Sequence, residues 1–161
     1  MISIPKNEFH LLVCLSSHGY GHFAMTAPIL NALRQKFSFH LTIRTTLPVK
    51  LLETRIDGDF SVLAETSDFG MVMHDSFKVD ETKSADAYRL FHQDYELKVK
   101  SEAEALGELK PDLILVNIPY LTIDAAFVLG IPCIAYCSLN WLEIFSHYFS
   151  HVLADEAKIK K

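Results

Sequence analysis

The sequence has little that would mark a nucleic-acid binder: 15 Lys and Arg stand against 20 Asp and Glu, for a net charge of −5. Without a basic stripe there is no electrostatic footprint for a phosphate backbone, so nucleic acid is excluded as a partner. Lys158, Lys160 and Lys161 are the one basic cluster and read as a short solvated tail. Cysteine is scarce. Cys14, Cys133 and Cys137 are odd in number, lie inside apolar runs and lack zinc-type spacing. That excludes a disulfide framework and a metal knuckle, and leaves buried thiols in a reducing, cytoplasmic setting as the expectation. Six Gly and six Pro are too few for collagen-like or low-complexity character. No apolar stretch approaches the roughly 20 residues that span a bilayer. The N-terminus carries Lys6, Glu8 and His10 before a short apolar run, which does not suit a secretory leader.

What is present is a chain of 161 residues, 50% of them hydrophobic. That is the size of one domain, able to bury about two thirds of its unfolded surface. Phe9 to Ser16 reads as a strand buried on both faces. Further strands are expected at Phe39 to Thr45, Phe60 to Glu65, Leu113 to Ile118 and Ile131 to Ser138. Helical spacing runs from Ala24 to Arg34, with Pro28 expected early in that helix, where its missing N–H costs least. A short helix is expected in Leu47 to Ile56, a long one over Asp86 to Leu109, one over Ile123 to Leu129 stopped by Gly130, and a last one from Trp141 to about Leu153, capped by Asn140. Asp68 to Asp80 suits a long loop with a short strand. Strands alternating with helices predict an α/β fold: a doubly wound parallel sheet, Rossmann-like, over residues 1–161. Ligands of such sheets bind beyond the carboxyl ends of the strands. The loops at 17–22, 45–48, 66–76, 117–121 and 138–141 are therefore the places for a site.

The first of these, Ser17-His18-Gly19-Tyr20-Gly21-His22, is the most informative. Two glycines permit a tight turn and close approach of backbone to ligand. The N–H groups of the following helix favour an anion or a hydroxyl. No Gly-Lys-Ser/Thr ending makes it a P-loop. Gly19-Tyr20-Gly21-His22-Phe23-Ala24 fits the dinucleotide pattern G-x-G-x-x-A loosely. The acidic residue expected about 20 positions later is replaced by Arg44-Thr45-Thr46, and an Arg there would suit a 2′-phosphate. His22, at a helix N-terminus, is held near neutral by the dipole, the state a general base needs. His18 reads more simply as a loop-capping or solvated residue. Glu143, His147 and His151 step along one helix face and more simply form a solvated face than a metal site; no metal is expected. Tyr88, Phe91 and Tyr95 read as core.

Ser16 to His22, followed by Pro28-Ile29-Leu30-Asn31-Ala32-Leu33, resembles the opening of GT-B glycosyltransferases. The closest pattern is that of the undecaprenol-linked N-acetylglucosaminyl transferases and the UDP-glycosyltransferases. Pro111 to Pro119, then Ala125 to Pro132, resembles the same group's PDL strand and the helix after it. Ser138-Leu139-Asn140-Trp141 is similar to an Asn-Trp found in a sugar-kinase-fused branch. The resemblance implies the GT-B N-terminal, acceptor-binding domain, with the donor-binding C-terminal domain absent from this chain. It implies a transferase moving a sugar from a nucleotide-sugar to an acceptor hydroxyl, inactive alone. It implies no cofactor beyond a UDP-linked donor held mainly by the missing domain.

By position, His22 matches the histidine that deprotonates the acceptor. His18, Gly19, Tyr20, Gly21, Asn117, Asn140 and Trp141 are the expected acceptor-binding residues. The resemblance places an Asp where Asn117 stands, and an amide holds a tautomer but stabilises imidazolium less than a carboxylate does. Asp68 and Asp75 are the carboxylates that could substitute, although loop aspartates more often make turns. Asp112, at a strand's start, reads as structural. The expected partners are a small-molecule or lipid-linked acceptor and a donor-binding domain in cis or in trans. Peripheral membrane contact and self-association are further expectations, the latter through Phe145, Tyr148, Phe149 and Val152. The rival reading is a non-catalytic binding or partner subunit that kept the fold and lost the carboxylate. A nucleotide-binding oxidoreductase domain is the weaker one.

Overall fold

The computed structural model describes residues 8–75, 78–138 and 140–148, with the backbone alone at Phe145. Five strands form one sheet: β1 (His10–Leu15), β2 (His40–Arg44), β3 (Ser61–Leu63), β4 (Leu113–Asn117) and β5 (Cys133–Ala135). Their order is β3-β2-β1-β4-β5 and every pairing is parallel. The fold is therefore the α/β, Rossmann-like, parallel architecture that the alternation of elements predicts.

Strand β1 is central and at most 2% exposed along its length. Its odd and even residues serve two different cores, which is why the run lacks alternation. Leu11, Val13 and Leu15 pack with Phe23, Ala27 and Leu30 of α1 (Gly21–Arg34), and with Leu52 of α2 (Val49–Leu52). Leu12 and Cys14 face the other way, against Ala103 and Leu106 of α4 (Tyr95–Leu109) and Ala125 and Ala126 of α5 (Tyr120–Leu129). Burial pushes the Cys14 thiol up to about 12, so it is an inert core group. A third cluster sits around Ile118: Ala85 and Tyr88 of α3 (Glu81–His92), with Trp141 and Ile144 of α6 (Trp141–Tyr148).

The structure departs from the sequence reading in three places. The helix expected over Asp86–Leu109 is two helices, α3 and α4, parted at Asp94, whose φ of 54° is left-handed. No Gly or Pro marks the break. Lys98 makes it tenable by donating to the carbonyls of Leu90 and Phe91 at 2.9 and 2.7 Å, two acceptors left open at the end of α3. Helix α1 starts at Gly21, so Pro28 lies midway along it, on the exposed side, where the freed carbonyl one turn earlier meets solvent. The strands at both sheet edges are short, three residues each.

The ends of β1 and β4 are tied together by the Ser16 N–H, which donates to the Asn117 carbonyl at 2.8 Å. At the opposite edge, Asp112 Oδ2 accepts from the His10 N–H at 2.7 Å, the structural role read for it. No described helix is long and apolar enough to cross a membrane.

Candidate functional site

The site lies at the carboxyl edge of the sheet, where β1 hands over to α1. Gly19 takes a φ of +83°, a conformation that L side chains rarely adopt, and turns the chain there. Gly21 is different: it is the first residue of α1, and an added Cβ would meet nothing within 4 Å. Of the two glycines, only Gly19 is required by backbone geometry. Tyr20, 65% exposed, precedes the helix without capping it by a side-chain hydrogen bond. The opening N–H groups of α1 therefore face whatever enters the loop.

His22 is the second residue of that helix and half-buried. Its Nδ1 lies 2.8 Å from Asn117 Oδ1. A carbonyl only accepts, so Nδ1 donates this hydrogen bond, and in the neutral ring the lone pair lies on Nε2. That is the tautomer a general base needs, held by an amide rather than by a carboxylate. Asn117 is fully buried, and its amide nitrogen makes no well-formed hydrogen bond among the described residues. Tyr136 stands close to that amide. Its hydroxyl donates to Thr26 Oγ1 at 2.8 Å, and Thr26 donates to the His22 carbonyl at 2.7 Å. Tyr136 and Thr26 thus brace the turn that carries the imidazole. Neither is a residue that sequence motifs singled out; Thr26 sits one helical turn after His22, which is the signal that was available.

Beside this pair lies a small cavity of about 160 Å³, lined by Ser16, Ser17, His18, Thr66, Asp68, Phe69 and Gly70. The His18 N–H donates to Ser16 Oγ at 3.3 Å. Burial holds the His18 imidazole below its ordinary value, against the pull of Asp68. Burial also raises the Asp68 carboxyl, although Ser16 and the N–H groups of Gly70 and Phe69 stand near enough to oppose it. None of them is aligned well enough for a full hydrogen bond: both Asp68 oxygens are sealed from solvent and have no well-formed partner among the described residues. The two loop aspartates therefore part company. Asp75 accepts from the Lys78 N–H at 2.9 Å, whereas Asp68 lies close enough to His18 to act on its imidazole.

The remaining expected residues fall elsewhere. Asn140 caps α6: its Oδ1 accepts from the Glu143 N–H at 3.0 Å and its own N–H donates to Glu143 Oε2 at 3.2 Å. Trp141 is 3% exposed, packed on Phe69 with ring centroids 4.2 Å apart. It anchors α6, and Phe69 links it to the cavity. Arg44 is not available to a 2′-phosphate. It is 4% exposed, and its Nη2 lies 2.6 Å from both oxygens of Glu102, which also accepts from Thr122 at 2.7 Å. This removes the feature that favoured NADP. Among the described residues, no group of three His, Cys, Asp or Glu is placed to hold a metal. His151, Phe149, Val152 and the Phe145 side chain lie outside the described residues, as does the lysine tail.

No protein-family model matches the chain, and no curated protein does. Solved structures do. UGT2 of Phytolacca americana, in complex with UDP-2fluoro-glucose and pterostilbene, overlays 82% of the chain at 21% identity and a TM-score of 0.51. CalG4, the calicheamicin glycosyltransferase, overlays 79% at 15% identity and a TM-score of 0.47. The C-terminal domain of a hydrogenase from Pyrococcus furiosus overlays 84% at 12% identity and a TM-score of 0.45. The chain spans 31% and 32% of the first two proteins and 96% of the third. At these identities the likeness is one of fold, and the fold it shows is the Rossmann-like parallel sheet described above.

Proposed function

We propose that the chain is the acceptor-binding half of a glycosyltransferase, with His22 as the base that takes the proton from an acceptor hydroxyl. The observation that carries this reading is the 2.8 Å contact between His22 Nδ1 and Asn117 Oδ1 at the carboxyl edge, which leaves Nε2 with its lone pair beside an uncapped helix N-terminus. The acceptor hydroxyl gives its proton to Nε2 as its oxygen attacks the sugar's anomeric carbon, and the bond from that carbon to the nucleotide's phosphate breaks, releasing the nucleoside diphosphate. The open N–H groups of α1 favour the negative charge that develops on that oxygen. The donor is a nucleotide-sugar, UDP-linked, held by a second domain supplied in cis or in trans. The fold likeness to the UDP-sugar complex of UGT2 supports this assignment.

One observation favours a second reading. The partner of His22 is an amide, so the imidazolium formed in such a step has no counter-charge from Asn117. A binding subunit that retains the loop without turnover fits that substitution.

Single-turnover transfer, with the donor-binding half supplied and a panel of UDP-sugars and acceptor alcohols, separates the two. His22→Ala lowers the rate about 10²–10⁴-fold if His22 is the base. Asn117→Asp raises the rate, because a carboxylate stabilises the imidazolium. Equal rates for the wild type and His22→Ala remove His22 from the chemistry and leave the binding reading.

A further inference from the structure

We infer that the cavity between the 16–19 loop and the 66–70 loop is a subsite for a sugar or polyol, with Asp68 accepting hydrogen bonds from its hydroxyl groups. The inference rests on the acceptor reading for the place of that ligand in a reaction, and it names the acceptor's class: a carbohydrate rather than a flat aromatic alcohol.

Three observations lead there. First, Asp68 is half-buried as a residue, but both of its carboxylate oxygens are sealed from solvent and have no well-formed hydrogen bond among the described residues. A sealed carboxylate without partners is costly, and native structures keep such groups where a ligand, ion or water completes them. Second, the space that Asp68 lines has the right size. About 160 Å³ corresponds to the liquid volume of about five waters, enough for the polar edge of one sugar ring. Third, the lining is mixed. Ser16, Ser17 and Thr66 bring hydroxyls, His18 an imidazole, and the N–H groups of Phe69 and Gly70 stand near the carboxylate. Hydroxyl groups donate and accept, so each can use a neighbour of either kind.

Access depends on His18. The carboxylate oxygens sit behind the cavity wall, and His18 forms part of that wall. Its ring makes no hydrogen bond among the described residues, and its anchor is the backbone N–H to Ser16 Oγ. Gly70 leaves the ring room, since an added Cβ there would lie 3.8 Å from His18 Nδ1. The ring turns aside without breaking a bond, and a ligand hydroxyl takes its place over Asp68. A ligand held there lies next to His22, which is close enough to His18 for the two imidazoles to repel.

The test is amide chemical-shift mapping of the 161-residue chain. Glucose, N-acetylglucosamine and myo-inositol serve as probes, with ethanolamine and Mg²⁺ as competitors. Saturable shifts are expected at Ser17, His18, Thr66 and Gly70 with the sugars or inositol. Asp68→Asn weakens that binding about ten- to a hundredfold, the worth of a hydrogen bond to a charged group. A melting curve at or above that of the wild type shows the variant to be folded. The inference is overturned by any of three results: no saturable shift from these probes, tighter binding of ethanolamine or Mg²⁺ at the same amides, or unchanged binding in Asp68→Asn. No donor is present in this assay. Sugar binding lost in Asp68→Asn, together with no His22-dependent transfer, overturns the transferase reading and leaves the subsite standing. His22-dependent transfer without Asp68-dependent binding overturns the subsite alone.

Discussion

Changing Glu102 to Gln tests whether the Arg44–Glu102 pair is an internal brace rather than a ligand-reading arginine. The pair is sealed, at 4% and 9% exposure, with contacts of 2.6 Å. At an effective dielectric of about 20 and this distance, the gross attraction is about 6 kcal/mol. Much of it offsets the cost of taking both ions out of water, so the pair contributes little net stability. Breaking it is another matter. Gln keeps the shape and an acceptor for Thr122, but leaves the guanidinium charged, buried and unpaired; Arg44 Nε already has no hydrogen-bond partner among the described residues. Such a loss costs about 3–5 kcal/mol. A domain of this kind has only roughly 5–15 kcal/mol in total. With a urea m-value of about 2 kcal/mol/M, the midpoint should fall by about 2 M, with m unchanged. Replacing both partners, Arg44→Met with Glu102→Leu, should recover most of that loss, because no charge is left stranded. The reasoning is refuted if Glu102→Gln shifts the midpoint by less than about 0.5 M, or if the double variant is no better than the single one.

Gly19→Ala should destabilise by about 1 kcal/mol, since its φ of +83° is strained for alanine, while Gly21→Ala should be neutral or stabilising in the same urea titration. Asp68→Asn should raise stability at pH 7 by about 1 kcal/mol or more, because a sealed, unbonded carboxylate is replaced by an uncharged isostere; a lower melting temperature would show that the carboxylate is well satisfied. Stability should also fall on acidification. Burial, with His40 nearby, holds His10 below its ordinary 6.5, so the unfolded chain binds the extra proton first. The His10 contribution is complete above about pH 6.5, fades as the pH drops towards the lowered folded value, and levels off below it. His10→Gln should flatten the urea midpoint across that window, and an unchanged slope would refute the assignment.

The parallel sheet was readable because each strand is a short apolar run bounded by turn residues, and each helix carries its own period. The break at Asp94 was not. It is stabilised by Lys98 reaching back to α3, a contact that local propensity does not register. The short reach of β5 was hidden too. Ile131 to Ser138 is apolar enough for eight strand residues, yet only Cys133–Ala135 pair with β4. Within the site, the Gly-rich loop and His22 announced themselves by motif, and Asn117 by its place at the end of an apolar strand. Tyr136 did not, and Asp68 was legible only as one of two loop aspartates able to supply a carboxylate. An aspartate in an irregular loop reads as a turn residue, and only the approach of the 66–70 loop to Ser16 and His18 separates it from Asp75. Arg44 was misleading, because its partner Glu102 lies on a helix face that reads as solvated.

The contact between His22 and Asn117 joins residues 95 positions apart in the chain. During synthesis at about 5–20 residues per second, the glycine loop leaves the ribosome roughly 5–20 s before its partner strand exists. In that interval β1 can pair with β2 but has an open edge where β4 will lie. The motif is therefore present long before the site is. Any nascent or truncated chain that stops short of Asn117 carries every residue of the loop and has nothing to hold His22 in its tautomer. Competence at this edge is a property of the finished sheet, and the order of synthesis makes it among the last features to form.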